Sequence, residues 1–308
     1  MEDLIQRLKK NRPNLSTTSI KTYTSILGNL YKKMEGEGDI YDFLKNNIDK
    51  IVEHLAEERP NLRKTKMAVL VSLFGEDVPT GKLREIMLED ANEYNASLRT
   101  QQMNEKQKEN WLSVEEIREI YKKLYKKTSP FLKKQSVSKK EYSELLELVL
   151  LSLYTLIPPR RSQDFCDMKI RGYNEETDNY YDGKQFVFHR YKTAKQYGKQ
   201  TVKPTPRLRN ILNKWILLNP HDYLLASFDG HKMSVSRMTL LLNKIFEKNV
   251  STTMLRHIFI QEQLKDTPRL SERDQLAKDM AHSVDQQELY RVMNTNNMPT
   301  GSIKRSMV

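Results

Sequence analysis

From Ser16 onward, apolar residues recur at steps of three and four. In STTSIKTYTSILGNLYKKM the stripe is Ile20, Tyr23, Ile26, Leu27, Leu30 and Tyr31, with serine and threonine hydroxyls available to cap the first turn. This spacing predicts an amphipathic helix. DIYDFLKNNIDKIVEHLAEE and NLRKTKMAVLVSLFGE keep the same period between Pro, Asn or Gly boundaries, and GKLREIMLEDANEYNASLRTQQ adds a long charged helix. Residues 1–106 therefore read as a small all-helical domain, with the boundary near Lys106 because QMNEKQKENW is polar and has no apolar face.

Residues 107–308 read as a second domain. WLSVEEIREIYKKLYKK opens with Ser113 and Glu116 at capping-box spacing, and SKKEYSELLELVLLSLYTLI is apolar enough to be a buried helix. Between Ile170 and Thr205 the pattern changes, with QFVFHRYKT and KQTVKPT predicting two short strands around AKQYG. Helical periods resume at RLRNILNKWILLN, SVSRMTLLLNKIFEK, TTMLRHIFIQEQL, RDQLAKDMA and VDQQELYRVMN. The fold class is mainly α with a small β-hairpin in the second domain, and no repeat points to a solenoid.

Composition narrows the partner. Lys and Arg outnumber Asp and Glu by 52 to 40, a formal charge of +12 spread along the chain, which favours a long polyanion. One cysteine, Cys166, forms no internal disulfide, and six scattered histidines give no zinc spacing, so no metal is expected and the compartment is reducing. The start MEDLIQRLKK lacks a signal-peptide core, and no apolar run approaches the roughly 18 residues a bilayer requires. These features predict an intracellular protein, cytoplasmic or nuclear, with no membrane partner. With ten glycines and neither a glycine-rich phosphate loop nor a GxSxG elbow, nucleotide hydrolysis and acyl transfer lose ground, and no cofactor is expected.

The residues left to carry chemistry are Arg160 and Arg161 after the apolar helix, Lys192 at the hairpin, Arg256, His282 and Tyr290. Each has an ordinary reading. The arginine pair can cap a helix end, Lys192 can be a solvated turn lysine, His282 a structural hydrogen-bonder and Tyr290 an amphipathic packing residue. Arg256 is harder to dismiss: between Met254, Leu255 and Ile258 it needs an anion or a carboxylate to satisfy it.

Taken in chain order, these residues resemble the tyrosine recombinases, the lambda-integrase-like strand exchangers. RSQDFCDM places Arg161, Asp164, Phe165 and Met168 at the steps of R-x-x-E/D-L-x-x-L, and YKTAKQYG resembles the family's lysine hairpin through Lys192. TMLRH is similar to H-x-L-R-H, matching Arg256 and His257, while MAHS is similar to L-G-H-S, matching His282 ahead of Tyr290. Two departures stand out: Thr253 replaces the first histidine of H-x-L-R-H, and Tyr290 follows His282 by eight positions, slightly fewer than usual. Arg160 stands one position before the matched arginine as the alternative register. Tyr290 is the one tyrosine of fifteen that follows Arg256.

The resemblance implies a two-domain DNA clamp: a helical core-binding domain followed by a catalytic domain. It implies site-specific cleavage and rejoining of double-stranded DNA through a 3′-phosphotyrosine on Tyr290, without cofactor or metal. Arg161 and Arg256 would hold the phosphate, Lys192 would protonate the leaving oxygen and His282 would assist the nucleophile. It also implies a homo-tetramer on paired DNA sites, with the tail docking on a neighbouring protomer; Met298, Ile303, Met307 and Val308 can serve as apolar anchors there, and Lys304 and Arg305 can instead touch DNA. Type IB topoisomerase-like relaxation and a catalytically impaired DNA-binding protein, the latter suggested by Thr253, remain alternatives.

Overall fold

The computed structural model describes residues 1–99, 102–263 and 270–290. The chain divides into two compact units, Met1–Thr100 and Gln101–Val308. The stretch around Lys106 contains a short helix, Glu105–Asn110, whose first turn is closed by a capping box between Asn104 and Gln107. Polar residues without an apolar period thus still form helix where the cap supplies the missing hydrogen bonds.

The first unit is a bundle of helices α1 (Glu2–Asn11), α2 (Thr17–Lys33), α3 (Ile40–Asn46), α4 (Ile48–Leu55), α5 (Pro60–Phe74) and α6 (Gly81–Arg99). Its centre is α5, where Met67, Val69, Leu70, Val71, Leu73 and Phe74 are all buried against α1, α2 and α6. The predicted stripe of α2 faces this core through Leu27 and Leu30, with Tyr23 and Ile26 packed beside them; Ile20 is also buried, and Ser16 caps the helix. The run after Asp39 is two helices, because Asn47 departs from helical dihedrals at φ −120° and starts α4 anew. Helix α1 adds Leu4 and Leu8 to the same core.

The second unit contains α7 (Glu105–Asn110), α8 (Val114–Thr128), α9 (Lys139–Thr155), α10 (Ser162–Cys166), β1 (Met168–Lys169), β2 (Asn179–Tyr181), β3 (Phe186–Phe188), α11 (Ala194–Tyr197), β4 (Gln200–Val202), α12 (Pro206–Leu218), α13 (Val235–Phe246), α14 (Thr252–Gln263), α15 (Leu270–Asp279) and α16 (Val284–Tyr290). The predicted capping box forms, Glu116 N donating to Ser113 Oγ at 3.1 Å and Ser113 N to Glu116 Oε2 at 2.7 Å. As its composition requires, α9 is the core helix, buried from Leu145 to Tyr154. Around it lie α8, α12 and α13.

The expected hairpin belongs to a four-stranded sheet of order β1-β2-β3-β4, with β1 parallel to β2 and the other pairs antiparallel. Tyr181 pairs with Phe186 across a turn in which Asp182 Oδ1 accepts from the amides of Lys184 and Gln185, each at 2.7 Å, and Gly183 takes φ 90°. Only glycine enters that backbone region freely, so Asp182-Gly183 was a readable turn signal. Phe186 and Phe188 set their rings edge-on to Phe165 at 5.8 and 6.0 Å, fastening the sheet to α10. Among the described residues no helix is long and apolar enough to cross a membrane.

Candidate active site

After α9, Pro158 and Pro159 bar further helix, and the chain reaches α10 through Arg160 and Arg161. Arg161 is the extended N-cap of α10, at φ −69° and ψ 149°. The two adjacent arginines meet different surroundings: Arg160 is 1 % exposed, whereas Arg161 is half-buried. Asp164, the carboxylate expected to accompany Arg161, pairs instead with Arg160, whose Nε donates to Oδ2 at 3.0 Å. Burial raises the Asp164 carboxyl pKa, and the charges of Arg160, Arg161 and Arg256 oppose that rise. Three arginines therefore surround one buried carboxylate. Phe165 and Met168, the apolar members of the motif, are fully buried, which fixes the register of α10.

Arg256 rises from the middle of α14 and is 2 % exposed. Its Nη1 donates to the Tyr290 hydroxyl at 3.1 Å, and its guanidinium carbon lies 4.6 Å from the Tyr290 ring centre. Its Nε and Nη2 are buried and find no hydrogen-bond partner among the described residues. Burial and the neighbouring charge of Arg161 lower its pKa, while Tyr290 and Asp164 oppose the shift. A buried donor without a partner costs about 1–3 kcal/mol, so this side chain favours an incoming anion.

The turn between α15 and α16 brings in His282. Ala281 sits at φ 55°, a left-handed conformation that costs a residue with a Cβ about 1–2 kcal/mol. That turn presents the Ala281 carbonyl to two donors, Arg161 Nη1 and Thr193 Oγ1, both at 3.0 Å. His282 follows, its Nδ1 donating to the Ser283 carbonyl at 3.1 Å. With Nδ1 carrying the proton, Nε2 keeps its lone pair, and it is buried without a partner among the described residues. Burial, reinforced by Arg256 and Arg161, pushes the His282 pKa down to about 4. The imidazole is therefore neutral at physiological pH, with an acceptor nitrogen and its ring 5.5 Å from that of Tyr290.

Tyr290 ends α16, packed against Ile260 and Met280. His257, one residue beyond Arg256, donates from Nδ1 to the Tyr290 carbonyl, with the two rings 4.9 Å apart. This clasp joins residues 33 apart in sequence, so no local pattern announces it. The geometry thus gathers Arg161, Arg256, His282 and Tyr290. Lys192 is exposed in the connection between β3 and β4, adjacent to Thr193. Thr253, which replaces a histidine of the motif, is exposed one turn before His257. The tail anchors Met298, Ile303, Met307 and Val308 lie outside the described residues.

The His282 shift gives a testable pH dependence. Its folded pKa lies below the ordinary histidine value of 6.5, so between 6.5 and about 4 the unfolded chain binds the extra proton. Stability therefore falls as pH drops through that window, by about 3 kcal/mol at most for a shift of this size. Burial lowers the His257 pKa too, which adds loss of the same sign. Urea midpoints at pH 7 and pH 4.5 should show His282→Asn losing clearly less stability than the wild type. Equal losses would contradict a buried neutral imidazole.

No protein-family model matches the sequence, and no curated protein matches it. Solved structures do. A lambda integrase segment, as a dimer bound to a COC' core site, is 13% identical with a TM-score of 0.52 and is matched over 99% of each chain. A second lambda integrase dimer on the same kind of site is 13% identical with a TM-score of 0.53, over 99% of this chain and 80% of that one. A lambda integrase tetramer bound to a Holliday junction is 13% identical at 0.50, over 98% and 80%. At such identity the likeness concerns architecture: this largely helical chain, with its small mixed sheet, has the fold of the tyrosine recombinases.

Proposed function

We propose that this protein is a site-specific DNA recombinase or integrase that cleaves and rejoins strands through a 3′-phosphotyrosine on Tyr290. The observation that supports this most is the Arg256 guanidinium. It is buried and held on the Tyr290 hydroxyl, with Nε and Nη2 unpartnered among the described residues. A phosphodiester oxygen placed there satisfies those donors while presenting its phosphorus to the tyrosine oxygen. Arg161 grips the second non-bridging oxygen, and planar guanidinium groups do this with paired, directional hydrogen bonds.

The reaction balances within the chain and its DNA. The Tyr290 oxygen attacks phosphorus, its proton passes to the neutral His282 Nε2, and the bond from phosphorus to the 5′ oxygen breaks as Lys192 protonates that oxygen. Attack by another strand's 5′ hydroxyl reverses these steps and frees Tyr290. Since each phosphodiester bond is exchanged for another, neither ATP nor metal is needed. Domain 1–106 grips the duplex as a core-binding domain and 107–308 acts on it, consistent with a net charge of +12. The working assembly is a homo-tetramer on two paired double-stranded sites, wherever in the cell the target DNA lies.

Incubation with nicked suicide duplexes of randomised core sequence, followed by sequencing of the covalently captured DNA, tests this reading. Recovery of a shared motif around one cleavage position is the expected result. Relaxation of supercoiled plasmid with no shared motif would favour a topoisomerase, and absence of any capture would favour a binding protein without cleavage activity.

A further inference from the structure

Arg160 has no part in that reaction, yet it is among the most deeply buried side chains of the protein. Two of its three nitrogens reach several elements, and the third, Nη2, is buried without a partner among the described residues. Nε donates to Asp164 of α10 at 3.0 Å, and Nη1 donates both to Gln200 Oε1 of β4 at 2.9 Å and to the Asp279 carbonyl of α15 at 3.1 Å. The guanidinium lies 3.9 Å from the ring centre of Phe188 on β3. Gln200 extends the link, its Nε2 donating to the Lys278 carbonyl at 3.2 Å. The last carbonyls of α15 are thus held from the β3–β4 side and from the start of α10 together, immediately before the turn that bears His282. Arg161 takes the Ala281 carbonyl two residues further along.

A buried ion pair is a poor stabiliser compared with apolar residues of the same volume, so stability alone does not explain this one. What a guanidinium adds is a rigid plane of donors with fixed directions. We infer that Arg160 is a positioning residue: it fixes the hairpin connection bearing Lys192 against the turn bearing His282, so that the leaving-group acid and the nucleophile's assistant meet at one phosphodiester. The inference rests on the proposed Tyr290 chemistry. It separates the adjacent arginines, Arg161 holding phosphate and Arg160 holding the frame.

The test replaces the scissile 5′ oxygen by sulfur. A 5′-bridging phosphorothiolate leaves as a thiolate without taking a proton, so cleavage no longer depends on where Lys192 stands. Single-turnover cleavage of nicked suicide duplexes with ordinary and sulfur-bridged linkages is measured for the wild type, Arg160→Lys, Gln200→Leu, Lys192→Ala and Arg161→Ala. On the ordinary linkage Arg160→Lys should be slower by about 10²-fold and Gln200→Leu by about 10-fold, as expected for misplacement of a reacting group by roughly an ångström. On the sulfur linkage both should return to within about threefold of the wild type, as should Lys192→Ala, whereas Arg161→Ala stays impaired on both. Equal losses of Arg160→Lys and Gln200→Leu on the two linkages would mean a purely structural role and overturn the inference, as would no loss at all. Failure of the wild type to cleave either duplex would instead overturn the Tyr290 reading and the inference with it.

Discussion

Replacing Tyr290 by phenylalanine is expected to abolish covalent protein–DNA complexes while leaving DNA binding close to the wild-type level. The substitution removes one oxygen and keeps the ring that packs on Ile260 and Met280. The net charge of +12, which favours a polyanion, is unchanged. The deleted hydroxyl accepts from Arg256 Nη1, so the variant leaves that buried guanidinium with a further unmet donor, a stability cost of about 1 kcal/mol. No tyrosine elsewhere after Arg256 substitutes for it, and the expected fall in cleavage is roughly 10⁴-fold or more, the scale seen when a nucleophile is removed. Denaturing gels report the covalent species and native gel shifts the binding. An undiminished covalent band in Tyr290→Phe would move the nucleophile elsewhere.

Arg256→Met is expected to separate catalysis from stability. Methionine fills much of the same volume and brings no charge, so it removes two buried, unpartnered N–H groups together with their desolvation cost. The melting temperature should therefore stay level or rise. Cleavage should fall by about 10²- to 10³-fold, the typical cost of losing one preorganised donor at a developing oxyanion. A side chain kept under electrostatic strain for a substrate behaves in this way, whereas an arginine that merely holds the core together does not. A marked drop in melting temperature with cleavage preserved would identify Arg256 as structural.

Much of the fold was legible because its signals are local. The stripe of α2, the Ser113–Glu116 capping box and the apolar run of α9 each state their structure within about twenty residues. Helix α1 carries a clear amphipathic pattern with Leu4 and Leu8 on its buried side, but it spans only ten residues and so gives the period little length in which to repeat. Strand β2 was passed over because it is three residues long and pairs on both sides, so alternation has no room to develop.

For the site, the resemblance to the tyrosine recombinases picked out Arg161, Lys192, Arg256, His282 and Tyr290; the structure brings Arg161, Arg256, His282 and Tyr290 together and leaves Lys192 exposed on the connection between β3 and β4. The contacts that join them were not readable. The His257 clasp on the Tyr290 carbonyl and the double use of the Ala281 carbonyl join residues 33 to 120 apart, and the choice of Asp164 between two adjacent arginines is settled by which of them the fold buries. Ala281 is instructive, since a left-handed φ calls for glycine and the motif it resembles carries glycine there. The alanine conceals a backbone requirement that only the fold reveals.

The measurement that bears most directly on the account is mass mapping of the wild-type adduct. The protein is incubated with a nicked suicide duplex, the captured complex is digested with protease and nuclease, and the nucleotide-bearing peptide is sequenced. A single modified residue is expected, Tyr290, joined through a 3′ phosphate with a free 5′ hydroxyl on the released strand. A linkage through a 5′ phosphate, or an adduct on any other residue, would contradict it.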